Sequence, residues 1–200
     1  LTGPGHRGKA KYLVVEAAAC ASDPKLDPRP KFLWQHPELI VITSIDYDHP
    51  DVFSSLSAVT AAFARFVEDL PEKGFVIANG DYQNIQELRK NSKKKFITYG
   101  FSPKNTYSIT RIKIQEGYMF LSVESQAMAI GDFFIRVAGR HNALNSLAAI
   151  VTGLELGISI ETVRSGISLF SGSKRRMEYM GNLDSGAQLY DDYAHHPTEI

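Results

Sequence analysis

Apolar residues change their spacing near the middle of the chain, and the change predicts two kinds of β structure. In the first hundred residues they come in short continuous runs. Tyr12-Leu13-Val14-Val15, closed by Glu16, reads as a buried strand, and so do Leu39 to Ile45, Phe75 to Ala78 and Phe96 to Tyr99. The β-branched run of residues 39–45 suits a central parallel strand covered on both faces. Between the runs, Leu56, Val59, Phe63, Phe66 and Leu70 recur at helical spacing until Pro71 stops them, and residues 82–90 predict a second helix. The proline-rich stretch from Asp23-Pro24 to Pro30 predicts a loop, and Lys93-Lys94-Lys95 a solvated turn.

From about residue 107 the pattern alternates. Ile112 and Ile114, then Met119, Leu121 and Val123, flank Glu116-Gly117 as the two arms of a half-exposed hairpin. Phe133 to Val137 adds a strand. A helix over residues 142–156 carries Leu144, Leu147, Val151 and Leu154 on one stripe, with Gly157 as its stop. Ser159 can cap a further helix bearing Ile160, Val163 and Ile167. Residues 177–193 read as two strands around Asp184-Ser185-Gly186. The predicted class is therefore α/β: a mainly parallel sheet flanked by helices, with an added antiparallel β segment.

Composition narrows the function. Two hundred residues suit one domain, and 22 basic against 22 acidic residues argue against a nucleic-acid or membrane-surface binder. One cysteine forms no internal disulfide, which fits the cytoplasm. No signal peptide is visible in the sequence, and no apolar run approaches the roughly 20 residues that a membrane span needs. The first residue is Leu1, which suggests a fragment of a longer chain. Gly3-Pro4-Gly5-His6-Arg7-Gly8-Lys9 has the spacing of a phosphate-binding loop. It is followed by Ala10 where a hydroxyl is needed, and it precedes a strand instead of following one, so it reads as a glycine-rich loop.

Titratable and amide residues gather in five places. Glu16 ends the first predicted strand, and Asp46-Tyr47-Asp48-His49-Pro50-Asp51 follows the second. Carboxyl ends of parallel strands border the ligand crevice of α/β sheets, so a carboxylate and an imidazole there could hold a divalent ion. The plainer alternative is that Asp48 or Asp51 caps the next helix. Gly139-Arg140-His141-Asn142-Ala143-Leu144-Asn145 opens a helix, with Asn142 and Asn145 one turn apart on one face. Two amides can read a nucleobase edge, or Asn142 can simply cap the helix. Phe170 to Glu178 contains Arg175-Arg176, whose planar forks suit phosphate or carboxylate. Asp191-Asp192-Tyr193-Ala194-His195-His196-Pro197 follows a strand; its two histidines would face opposite ways if that stretch were extended.

Together, and in this order, these five segments resemble the Mur ligases, the ATP-dependent amide-forming enzymes of peptidoglycan synthesis. The resemblance covers nearly the whole chain and implies the central ATP-binding domain over residues 1–200. It implies that the phosphate loop, the N-terminal UDP-binding domain and the C-terminal domain lie outside it. By resemblance, Glu16 and His49 are magnesium ligands and, with Arg176, the catalytic set. His141, Asn142, Asn145, Arg176 and Asp192 bind ATP, and Tyr193, His195 and His196 approach the muramyl substrate. The implied partners are ATP, UDP-N-acetylmuramate and L-alanine, with Mg2+ as cofactor and neither nucleic acid nor membrane involved. The family member that takes a murein tripeptide in place of the amino acid is one alternative. A non-catalytic nucleotide-binding or scaffold domain is another. Ala17 to Cys20 replaces a second acidic residue found in relatives, which removes one candidate metal contact.

Overall fold

The structure is a computed structural model that describes residues 11–197 except 24 and 127. Gly3–Lys9 lies outside the described residues. Two short strands, β1 (Ala21–Asp23) and β2 (Asp27–Pro30), pair antiparallel as a separate ribbon, and Lys31–Trp34 follows as a 3-10 turn. Then come β3 (Leu39–Ile42), α1 (Leu56–Glu68), β4 (Phe75–Asn79), α2 (Gln83–Asn91) and β5 (Lys95–Gly100). A meander follows: β6 (Tyr107–Gln115), β7 (Tyr118–Ser125) and β8 (Met128–Ile135). The chain continues through α3 (Arg140–Glu155) and α4 (Ile160–Leu169) to a second ribbon of β9 (Glu178–Asn182) and β10 (Gln188–Asp191).

One six-stranded sheet takes β3 to β8 in chain order, parallel as far as β6 and antiparallel beyond it. Side-chain alternation splits the core between its faces. Val76, Ala78 and Phe96 turn to the side of α1 and α2, where Val59, Phe66, Ile85 and Leu88 meet them. Ile77, Ile97 and Tyr99 turn to the other side, against Ala143, Leu147, Ile150 and Val151 of α3. Helices cover both faces, so the central strands are apolar throughout, which is why they read as runs. In the meander Met119, Leu121, Val123, Phe133 and Ile135 line the α3 and α4 side. The hairpin turn is Glu116-Gly117, both at positive φ (54° and 79°), the conformation that matches strand twist.

Three expectations fail. Residues 12–15 form no strand: Leu13 and Val14 are 83% and 93% exposed on an irregular segment. Four apolar residues carry no periodicity of their own, and β3 finds its sheet neighbour in β4 alone. The proline stretch is partly extended rather than all loop, because a two-stranded ribbon tolerates prolines whose missing N–H the ladder does not need. The run at 39–45 is a strand only to Ile42, and it lies at the edge of the sheet and not at its centre, with Val41 exposed.

Candidate functional site

The loop that leaves β3 is held from several sides. Ile45 and Phe53 are buried, Asn84 Nδ2 donates to the Ile45 carbonyl (2.6 Å), and Tyr47 Oη donates to the Phe53 carbonyl (3.3 Å). At its centre His49 sits at φ +56°, a conformation that L residues adopt only occasionally. Its carbonyl accepts from the N–H groups of Val52 and Phe53 (2.9 Å each). Asp48 Oδ1 accepts from the His49 N–H (2.7 Å), while Asp48 Oδ2 lies 3.8 Å from His49 Nε2. Neither Asp48 nor Asp51 caps the next helix. Ser55 does so, its hydroxyl accepting from the Ala58 N–H (3.2 Å).

The end of the chain folds back on this loop. His195 Nε2 lies 4.0 Å from Asp48 Oδ2, and His196 Nε2 donates to the Tyr47 carbonyl (3.2 Å). The stretch is not extended there, so neighbouring histidines reach the same loop. His195 Nδ1 donates to the Tyr193 carbonyl (3.1 Å), and the two rings meet edge-on at 5.4 Å. Asp192 is engaged at both oxygens: Oδ2 accepts from the Met177 N–H (3.0 Å) and Oδ1 from the Ala194 N–H (2.8 Å). It thus fixes the turn that carries Arg176, whose neighbours Arg175 and Met177 both have positive φ (58° and 48°). Arg175 places its guanidinium over the Tyr193 ring (4.2 Å) and lies 3.8 Å from the Asp191 carboxylate. This role of Arg175 is not legible from two consecutive arginines.

The start of α3 has an unusual form. Gly139 precedes the helix at φ +116°, ψ 143°, with no side-chain cap. A Cβ there would lie 3.0 Å from the His141 ring, which folds back over the glycine. Asn142 is the third residue of the helix and not its cap. Its Nδ2 donates to the Ala138 carbonyl four residues back (2.7 Å). Asn145 is exposed one turn on, while Ala143 and Leu147 face the core.

Glu16 is exposed, and its carbonyl accepts from Gln35 Nε2 (3.2 Å). With no strand at residues 12–15, Glu16 does not stand at a strand's carboxyl end, and only the resemblance to the family points to it as a ligand. Among the described residues no group of three His, Cys, Asp or Glu side chains could hold a metal. The Glu16 carboxylate is a donor that suits magnesium, which takes one or two carboxylates and completes its shell with water and phosphate oxygens, whereas an imidazole such as that of His49 is a less usual ligand for it. The Asp48 carboxylate lies 3.8 Å from His49 Nε2, beyond the hydrogen-bond distance at which a carboxylate orients a ligating imidazole.

Residues 6–153 match the family model described as the Mur ligase middle domain. The UDP-N-acetylmuramate–L-alanine ligase of Desulfitobacterium hafniense is 32% identical over 198 residues, covering 99% of this chain and 42% of that protein. The enzyme of the same name from Dictyoglomus turgidum is 35% identical over 200 residues, covering 99% and 41%. The solved UDP-N-acetylmuramate-alanine ligase of Thermotoga maritima superposes with a TM-score of 0.69 at 25% identity, over 84% of this chain and 37% of that one. The chain thus spans about two fifths of the length of these relatives.

Proposed function

Because the chain belongs to the Mur ligase family, we propose that it is the ATP-binding middle domain of a ligase that joins L-alanine to UDP-N-acetylmuramate. The observation that carries this reading is identity of 32% and 35%, along 99% of the chain, to enzymes of that name. The return of His195 and His196 to the loop of His49 supports it, because it joins the last motif to the second. ATP as co-substrate implies the cytoplasm, and no helix among the described residues is long and apolar enough to cross a membrane.

In the proposed reaction a carboxylate oxygen of the muramyl group attacks the γ-phosphorus of ATP. The bond to ADP breaks, and an acyl phosphate forms. The amine of L-alanine then attacks the acyl carbon, loses a proton, and expels phosphate from a tetrahedral intermediate. His141, Asn142 and Asn145 present ring and amide groups to the adenine. Arg176, on the turn pinned by Asp192, offers a planar fork to the phosphates as charge shifts toward the leaving ADP. Tyr193, His195 and His196 border the muramyl side. Glu16 and His49 would hold magnesium, which would neutralise charge on the transferring phosphate.

The test is kinetic. In the complete ligase, Asn142→Ala/Asn145→Ala should raise the KM for ATP and narrow the preference for ATP over GTP, since the two purines offer different donor and acceptor patterns. Each lost hydrogen bond is worth on the order of 1 kcal/mol, about fivefold in affinity. Wild-type nucleotide preference in the double variant would withdraw the adenine assignment. Turnover with a murein tripeptide and none with L-alanine would replace the proposed substrate.

A further inference from the structure

A second group of residues ties the carboxyl ends of β4 and β5 to the first turn of α3, and none of the five motifs contains its acidic member. Asp81, in the turn after β4, accepts three hydrogen bonds. Its Oδ2 takes the Phe101 N–H (2.6 Å), and its Oδ1 takes the Ser102 N–H (3.0 Å) and Asn105 Nδ2 (2.9 Å). Two glycines leave room for this clamp. A Cβ on Gly100 would lie 2.5 Å from the Asp81 carboxyl carbon and from both its oxygens, and a Cβ on Gly80 would lie 2.1 Å from Asn105 Oδ1. The clamp fixes the backbone of Phe101, whose half-buried ring lies under the Arg140 guanidinium at 3.7 Å. Arg140 is the first residue of α3, and the residue before it supplies no side-chain cap.

We propose that Asp81, Phe101 and Arg140 form a brace that sets the pose of the first turn of α3, making Arg140 a positioning residue for nucleobase recognition. The proposal rests on the reading that His141, Asn142 and Asn145 meet adenine. A helix entered through a glycine at φ +116° has a soft start. A cation stacked on an aromatic face restrains it in both direction and distance. The Asn142 bond to Ala138 restrains the turn from inside, and the Arg140–Phe101 contact restrains it against the sheet. Amides that discriminate purines need fixed directions, so loosening the turn costs recognition before it costs folding.

The complete ligase would carry Phe101→Leu, which keeps an apolar side chain without a π face, or Arg140→Gln, which removes the charge. Phe101→Tyr retains the face and serves as the rescue. KM and kcat for ATP, rates with GTP, and melting temperature are measured for each. Phe101→Leu and Arg140→Gln should raise the KM for ATP roughly two- to fivefold, in line with a cation–π contact at an exposed site. They should narrow ATP over GTP to a similar degree, with kcat within about twofold of the parent, and Phe101→Tyr should match the parent. Unchanged KM and preference in both variants, beside an Asn142→Ala/Asn145→Ala variant that alters them, would overturn the brace alone. Silence in the asparagine variant as well would overturn the adenine reading beneath it. A raised KM in the brace variants with a silent asparagine pair would make Arg140 a direct ligand and end its positioning role.

Discussion

Two glycines in neighbouring helices should answer the same substitution with opposite signs. Gly153 lies in α3 and Gly166 in α4. Replacing a helical glycine by alanine gains roughly 1 kcal/mol, because the glycine gives up more backbone freedom on folding. Around Gly166 nothing lies within 4 Å of the added Cβ, so the whole gain should appear. At Gly153 the Cβ would lie 2.7 Å from Cγ2 of Val163, a buried residue of α4. Valine in a helix is confined to essentially one rotamer, so the methyl cannot swing aside and the helices must separate. Overpacking of this kind costs about 1–3 kcal/mol, which outweighs the propensity gain and leaves a net loss of about 1 kcal/mol. For a chain of this length that is about 2–4 °C in Tm, downward for Gly153→Ala and upward for Gly166→Ala. Thermal melts and urea titrations of the two variants measure the difference. Val163→Ala opens the space, so Gly153→Ala should cost less in that background, with a coupling on the order of 1 kcal/mol. A rise in Tm for Gly153→Ala, or strict additivity with Val163→Ala, would refute the close-packing argument.

His49→Ala in the complete ligase should lower turnover at least tenfold and shift the dependence on magnesium concentration, while Tm moves by less than about 4 °C, because a half-exposed loop imidazole adds little to the core. Unchanged rate and magnesium response would remove His49 from the proposed site. Stability should also fall in strong base. Burial, then the hydrogen bond to Glu155 (2.8 Å), pushes the Tyr107 hydroxyl up to about 12 from its usual 10, and burial pushes Tyr99 up as well. A folded-state pKa raised this way contributes stability that is complete below pH 10 and is lost as pH climbs toward 12. Urea midpoints between pH 9 and 12 should decline, and less steeply in Tyr107→Phe; equal slopes would show that the phenol is not the cause.

Elements whose pattern reflects burial were legible in the chain, and contacts between distant segments were not. The strands Phe75–Asn79 and Lys95–Gly100 read correctly because helices cover both their faces. The hairpin is legible because one face alternates toward α3 and α4, but the last strand runs Met128–Ile135 where the sequence predicts Phe133 to Val137. Tyr12 to Val15 looked like a strand for the same compositional reason, but a strand needs a partner, and pairing is not written in four residues. The spacing predicts the start of α3 to within two residues, yet the bond from Asn142 back to Ala138 depends on an uncapped glycine start. The approach of His196 to Tyr47 spans 149 positions, and no local spacing encodes it. Asp81 carried no signal either: an aspartate after Asn-Gly reads as an ordinary turn, and its three donors come from a loop some 20 residues away.

The large sheet changes from parallel to antiparallel across a narrow seam. Only Tyr99–Tyr107 and Gly100–Ser108 pair between β5 and β6. Thr98 and Thr106 lengthen the join by exchanging bonds, each hydroxyl accepting from the other's N–H (3.3 and 3.1 Å). On one side of the seam, strands connect through short turns and their contacts are local in sequence. On the other, each pairing must wait for a helix-bearing crossover to close. Chain-closure entropy therefore favours early assembly of the β6–β8 meander, in the microsecond range typical of hairpins. The parallel strands then add through β5, with the two threonines as the first stitches. Loop-closure entropy thus favours an order of assembly that follows connectivity and not the density of apolar residues.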